Sequence, residues 1–282
     1  MESMKYTSND LVQMLSYPRP ARSLMEKEFI VKYISSVPGM KSDSFGNYYK
    51  RIGKSDTAFC CHTDTVHHFG GTQRQVVQVS NDGWAFKKDG DVLGADDTTG
   101  VWLCLNLIHK KIPGLYIFHR DEEIGGKGSS YIANKTPQLV KGIKKIIAFD
   151  RKDYHDVIIQ QRNQYTASQE FGLALAKQLG HNFKPARGVF TDSANYSHLI
   201  PECANLSIGY FYAHSQDEIQ DLTFAEALST WLSRINWSSL PVKRVPVPPQ
   251  IYVRRIPKPQ QQVDDFWGYQ DLNDFWFGGQ RR

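Results

Sequence analysis

The sequence predicts an α/β fold, with a mostly parallel central sheet and helices on both faces. Apolar runs alternate along the chain with amphipathic segments of helical period, the pattern of strands joined by crossover helices. TAFCC at 57–61, GLYIFH at 114–119 and KKIIAFD at 144–150 are short, apolar and suited to the interior of such a sheet. With 282 residues and 40% hydrophobic content, the chain can bury a sizeable core.

The elements follow in order. Thr7 to Asn9 suit the cap of a helix through DLVQML, and SLMEKEFIVKYISSV at 23–37 carries apolar residues at helical spacing. SDSFGNYYKRIG predicts a hairpin turning at Gly46 and Asn47, followed by the TAFCC strand. QVVQVSNDGWAFKKDGDVLGADD reads as strand, Asn-Asp-Gly turn, strand and a Gly-bearing loop. TTGVWLCLNLIHKK is a mostly apolar helix, GLYIFH a strand, GKGSSYIAN a helix start, and KKIIAFD a strand ending on a carboxylate. TASQEFGLALAKQLG is an amphipathic helix with Gly180 as its stop, and FAEALSTWLSRINW is another.

Composition changes near residue 240, which divides the chain into a domain at 1–240 and a tail at 241–282. LPVKRVPVPPQIYVRRIPKPQQQ is proline-rich and predicts extended or polyproline-like backbone. The end repeats Asp-Phe-Trp at 265–267 and 274–276. Such a tail wraps its own domain, pairs two copies of the chain or docks on a partner.

Several function classes drop out. No run approaches 18 apolar residues, and MESMKYTSNDLVQML lacks the basic head and apolar segment of a leader, so neither a membrane span nor export is expected. Cys60, Cys61, Cys104 and Cys203 form no CxxC pair, which fits small core residues in a reducing cytoplasm. A net charge of +5 without a dense basic block gives no reason to expect nucleic acid as a partner. There is no GxSxG, no GxxxxGK[ST], no GxGxxG after a strand and no HExxH.

What remains is a set of acids and histidines at element ends: HTD at 62–64, GADD at 94–97, RDEEIGG at 120–126, FD at 149–150 and YAHSQDE at 212–218. In an open α/β sheet, ligands gather outside the carboxyl ends of strands. Each motif alone has a bland reading: Asp97 or Thr98 suits a helix cap, and DEE before glycines suits a solvated loop. Together they supply a two-metal site, with His62 and Asp150 on one ion, Glu123 and His214 on the other, and Asp96 bridging. Asp64 then accepts the second ring N–H of His62, and Glu122 takes the proton of a bridging water.

HTDTV, GADD before a helix, DEEIGG, a strand-end Asp and a late His resemble the co-catalytic zinc peptidases. That group includes peptidase T, the glutamate carboxypeptidases, acetylornithine deacetylase-like amidohydrolases and the zinc aminopeptidases. The resemblance spans roughly residues 20–237 and implies His62, Asp96, Glu123, Asp150 and His214 as zinc ligands, Glu122 as general base and Asp64 as the carboxylate orienting His62. It also implies two zinc ions, with cobalt or manganese suiting the same donors. In the run-up to the late histidine, Thr191, Asp192 and Ser193 correspond to a pocket loop and Glu218 to a supporting acid.

Many relatives insert a lid or dimerisation domain before the last histidine. Here the stretch from Asp150 to His214 has room for one strand, one helix and the pocket loop, as in a bare catalytic domain. Arg187 is the candidate anchor for a substrate carboxylate, with a structural salt bridge as its alternative. The compact build and short tail suit a streamlined, virus-encoded version. The expected activity is hydrolysis of an amide, either near a peptide terminus or in an N-acyl amino acid. A non-catalytic binding protein on the same fold is the rival from another class.

Overall fold

A computed structural model describes residues 6–68, 73–88 and 90–247. Helix α1 (Ser8–Leu15) opens the chain under a reciprocal cap: Asp10 N–H donates to the Thr7 hydroxyl, and the Asp10 carboxylate accepts from Thr7 N–H. Helix α2 (Leu24–Phe29) starts at a Ser23 cap and continues through Ile30–Ser35 in wider π-type turns. The predicted hairpin follows as β1 (Lys41–Ser42) and β2 (Tyr48–Ile52). Its loop is held by Asp43, whose Oδ1 accepts the N–H groups of Phe45, Gly46 and Asn47.

The TAFCC run becomes β3 (Thr57–His62), buried along its whole length. Phe59 and Cys61 pack in the core on one face of the sheet, and Ala58 and Cys60 in the core on the other. Both cysteines are therefore free, buried and opposed, as expected. Next come β4 (Gln78–Val79) and β5 (Trp84–Phe86), antiparallel about the Asn81–Gly83 turn, then α3 (Ala95–His109) and β6 (Gly114–His119). Helix α4 (Lys127–Lys135) leads to β7 (Lys145–Arg151). Helix α3 is buried on all sides except its last residue, because it packs on β3 and β7 while α1 and α6 (Leu222–Leu232) cover its back.

Between Asp150 and His214 the chain holds more than one strand and one helix. It forms β8 (Asp156–Gln161), β9 (Gln164–Tyr165), α5 (Gln169–Leu179), β10 (Lys184–Gly188), β11 (Glu202–Ser207) and β12 (Tyr210–Phe211). These strands extend the sheets rather than build a separate lobe. The large sheet runs β1-β2-β6-β3-β7-β11-β8-β10, with β9 on β8, and a second sheet runs β12-β13-β5-β4, where β13 is Ile219–Asp221. The four central strands β6, β3, β7 and β11 are parallel, flanked by antiparallel pairings at β2–β6 and β8–β11. After β3 the chain places β6 on one side and β7 on the other. The order therefore reverses about β3, and a crevice opens outside its carboxyl end.

The start of the predicted tail is tied to this body. Lys243 and Arg244 N–H donate to the buried Glu202 carboxylate, and the Arg244 guanidinium reaches the carbonyls of Ser197, Ile200 and Pro201. Residues 248–282, with the repeated Asp-Phe-Trp, lie outside the described residues. No described helix is long and apolar enough to cross a membrane.

Phe59 stacks on Phe149, meets Trp237 edge to ring and lies tilted against Tyr116 in the core. Phe59→Ala should cost about 3–5 kcal/mol in urea unfolding. A loss below about 1 kcal/mol would mean that this ring cluster does not anchor the sheet.

Candidate metal centre

Three adjacent parallel strands deliver the acids and histidines to one place. His62 is the last residue of β3, Glu122 and Glu123 follow β6, and Asp150 lies next to the end of β7. Asp96 enters from the start of α3, where Asp96 and Asp97 depart from helical backbone angles. His214 arrives from the loop after β12 with a left-handed backbone, φ 63°.

The distances define two groups of donors that share one carboxylate. His62 Nε2 lies 3.0 Å from Asp96 Oδ1 and 3.7 Å from Asp150 Oδ1. His214 Nε2 lies 3.3 Å from the other Asp96 oxygen and 3.2 Å from Glu123 Oε1. A single Nε2–H cannot aim at two carboxylates at once, whereas a cation seated among the three atoms satisfies all of them. Donors about 2.0–2.2 Å from one tetrahedral zinc stand roughly 3.4 Å apart, and these contacts bracket that spacing. Glu123 Oε1 is also buried without a hydrogen-bond partner. The residues present therefore suit divalent cations, with Asp96 common to two groups of donors.

The electrostatics agree. Asp64, Asp96, Asp97, Glu122, Glu123 and Asp150 crowd around two imidazoles. Burial pushes Glu122 up to about 10, outweighing the pull of His62 and reinforced by Asp192, Asp150 and Glu123. Burial and the charge of Asp96 take Asp150 up to about 7. Hydrogen bonds to Asp96 and Glu123 raise His214 to about 11, and Asp96 falls well below the usual carboxylate range because both imidazoles outweigh its burial. The cluster holds protons where a cation would hold charge.

A surrounding shell fixes these side chains. Asp64 does more than the sequence implied. His62 Nδ1 lies 3.0 Å from the Asp64 carbonyl oxygen and 3.5 Å from its carboxylate, so the main chain is the nearer acceptor. The carboxylate instead accepts the N–H groups of Glu122 and Glu123, each at 3.1 Å. Glu218 accepts from Gly94 and Asp96 N–H at 2.7 and 3.0 Å, bracing the bridging residue. Asp97 accepts from His62 and Gly100 N–H, both at 3.0 Å, which joins β3 to α3. Gly100 is required here, because a Cβ would stand 2.2 Å from the Phe149 carbonyl oxygen and 2.3 Å from Asp97 Oδ1.

A cleft of about 350 Å³ opens over the cluster, walled by Ile158, Phe190, Tyr210 and Tyr212. The predicted pocket residues lie elsewhere. Arg187 is exposed on the edge strand β10, and Ser193 is buried with its hydroxyl accepting from Gln161 Nε2 at 3.0 Å. Asp192 is buried beneath the cleft, where it accepts from Ser129 Oγ at 2.5 Å and faces His119 Nδ1 at 2.9 Å. Thr191 donates its hydroxyl to Asp150. Sequence reasoning missed Asn205, which exchanges hydrogen bonds with the Asp150 main chain at 2.9 and 2.8 Å. It also missed Arg19, whose buried guanidinium reaches Thr63 O and Thr98 Oγ1 at 2.9 and 2.8 Å. Arg19 stands between Pro18 and Pro20, in a stretch with no motif to mark it.

No protein-family model and no curated protein matches the chain. Solved structures do. An aminopeptidase PepT from Bacillus cereus superposes with a TM-score of 0.64 at 12% identity, over 82% of this chain and 97% of that one. A tripeptidase from Staphylococcus aureus gives 0.62 at 12%, over 84% and 98%. An aminopeptidase from the archaeon Desulfurococcus kamchatkensis gives 0.57 at 17%, over 84% and 99%. The chain thus has the fold of these peptidases, as the resemblance implied.

The raised affinities set a pH dependence for protein stripped of divalent ions. Asp150 and Glu218 have values near 7 and 8, above the unfolded carboxylate range of about 4. Their contribution is fully present below that range and is lost as pH rises through about 7 and 8, and His214 acts in the same direction. Urea midpoints of the chelated protein should therefore fall between about pH 5 and 8, and added zinc should oppose the fall. A midpoint rising across that window would contradict the assignment of excess buried negative charge.

Proposed function

We propose that the chain is a di-metal hydrolase of amide bonds, acting on peptides near a terminus. The observation that carries this reading is the pair of donor groups sharing Asp96, with Glu122 beside them at a cleft open to solvent. His62, Asp150 and Asp96 would hold one cation, and Asp96, Glu123 and His214 the other. Zinc suits this nitrogen and oxygen set best, with cobalt or manganese as substitutes. When bound, such a pair lowers the pKa of a shared water and polarises a carbonyl.

The chain's own residues supply the rest. Glu122 takes the proton of the attacking water and passes it to the departing amine. Asp64 holds Glu122 and Glu123 by their N–H groups, so base and donor keep a fixed offset. The apolar cleft wall receives a substrate side chain and excludes water from part of the site. The structural neighbours named above, an aminopeptidase and a tripeptidase, support a peptide over an N-acyl amino acid. Four buried free thiols support a reducing, cytoplasmic location.

Elemental analysis after zinc equilibration should find about two ions per chain, fewer in His62→Ala. Absence of stoichiometric metal would remove this reading. Glu122→Gln should keep the metal and lose on the order of 10²–10⁴ in kcat on a peptide substrate. Unchanged turnover would take Glu122 out of the reaction.

A further inference from the structure

Five residues of the cleft, Asp96, Glu122, Glu123, Asp150 and His214, belong to the donor cluster. Its other charged residues are Arg151 and Lys152. Arg151 is already paired, since its guanidinium donates twice to Asp156 Oδ2, at 3.0 and 3.2 Å. The Lys152 side chain is exposed and, among the described residues, has neither hydrogen-bond nor ion-pair partner. It follows Asp150 by two residues at the end of β7, so both side chains reach the same cleft.

Part of the cleft wall is apolar, with Val189 78% and Tyr212 63% exposed alongside Phe190 and Tyr210. Exposed apolar groups next to an unpaired cation, over a cluster of donors, form a surface that lacks its occupant. A residue bearing an apolar side chain and a free carboxylate complements both halves. Two residues of extended chain separate Lys152 from Asp150 by about 7 Å. The carboxylate of a terminal residue lies one residue, about 3.3–3.6 Å, beyond the amide that is cut. A flexible lysine spans the difference.

We propose that Lys152 anchors the C-terminal carboxylate of a short peptide whose last residue is apolar, and so selects free-acid substrates cut at their final peptide bond. Lys152 is then a specificity-determining residue, and its role rests on the reading of the cluster as an amide hydrolase. A lysine ammonium meets a carboxylate as a point charge, so arginine should replace it and glutamate should oppose it.

The test compares leucylleucine with leucylleucinamide on zinc-loaded wild type, Lys152→Ala, Lys152→Arg and Lys152→Glu. Wild type should favour the free acid by about tenfold in kcat/KM, the size of a partly exposed charged hydrogen bond. The preference should sit in KM rather than kcat. It should fall to about one in Lys152→Ala, persist in Lys152→Arg and reverse in Lys152→Glu. Equal turnover of acid and amide by wild type, or a preference that Lys152→Ala leaves intact, would overturn the anchor alone. Failure of wild type to cut either compound, despite bound zinc, would overturn the hydrolase reading and the anchor with it.

Discussion

One carboxylate, that of Asp96, stands between two imidazoles and faces a different donor group with each oxygen. The rest of the molecule is arranged to keep it there. Glu218 accepts its main-chain N–H, and the next residue, Asp97, accepts from His62 N–H and so is tied to β3. Helix α3 carries both acids from inside the core, where packing gives its first turn no room to drift. On the proposed reading, a bridging group shifted by a fraction of an ångström would serve one cation and lose the other, a reason for a rigid mounting of a short side chain.

That mounting has an electrostatic cost. Buried carboxylates without counter-charge are expensive, and this site gathers more of them than its two histidines can balance. The fold tolerates the excess because its central strands are fixed independently. Apolar cores cover both faces of the sheet, so the acids need not contribute to folding. The stability of the sheet is spent on holding charges together that repel one another, the arrangement that divalent cations reward.

The sequence made the donor set legible because each motif stands directly after an apolar strand or before an apolar helix. His62, Glu123 and Asp150 could be placed by strand ends alone, and the capped helices by their caps and period. Strands β10 and β11 were not legible for physical reasons. KPARG is an edge strand with a proline and two cations, an exposed composition that resembles a loop. ECANLS is wholly buried yet holds Glu202 and Asn205, which serve as internal acceptors and donors rather than solvent-facing residues. Asp192 and Ser193 sit in a short 3-10 turn, where spacing says little about direction, and they face inward to support the cluster. Lys152 had no motif to mark it, since only the cleft shows which cation has no partner.

The Asp64 carboxylate, which grips two consecutive N–H groups beyond β6, links events that would otherwise be separate. Its main chain holds the His62 ring while its side chain holds the segment bearing Glu122 and Glu123. On the proposed reading, local opening of that segment would release His62, Glu122 and Glu123 together. With cations held as proposed, opening and metal loss would become a single cooperative transition with one free energy, each a lock on the other.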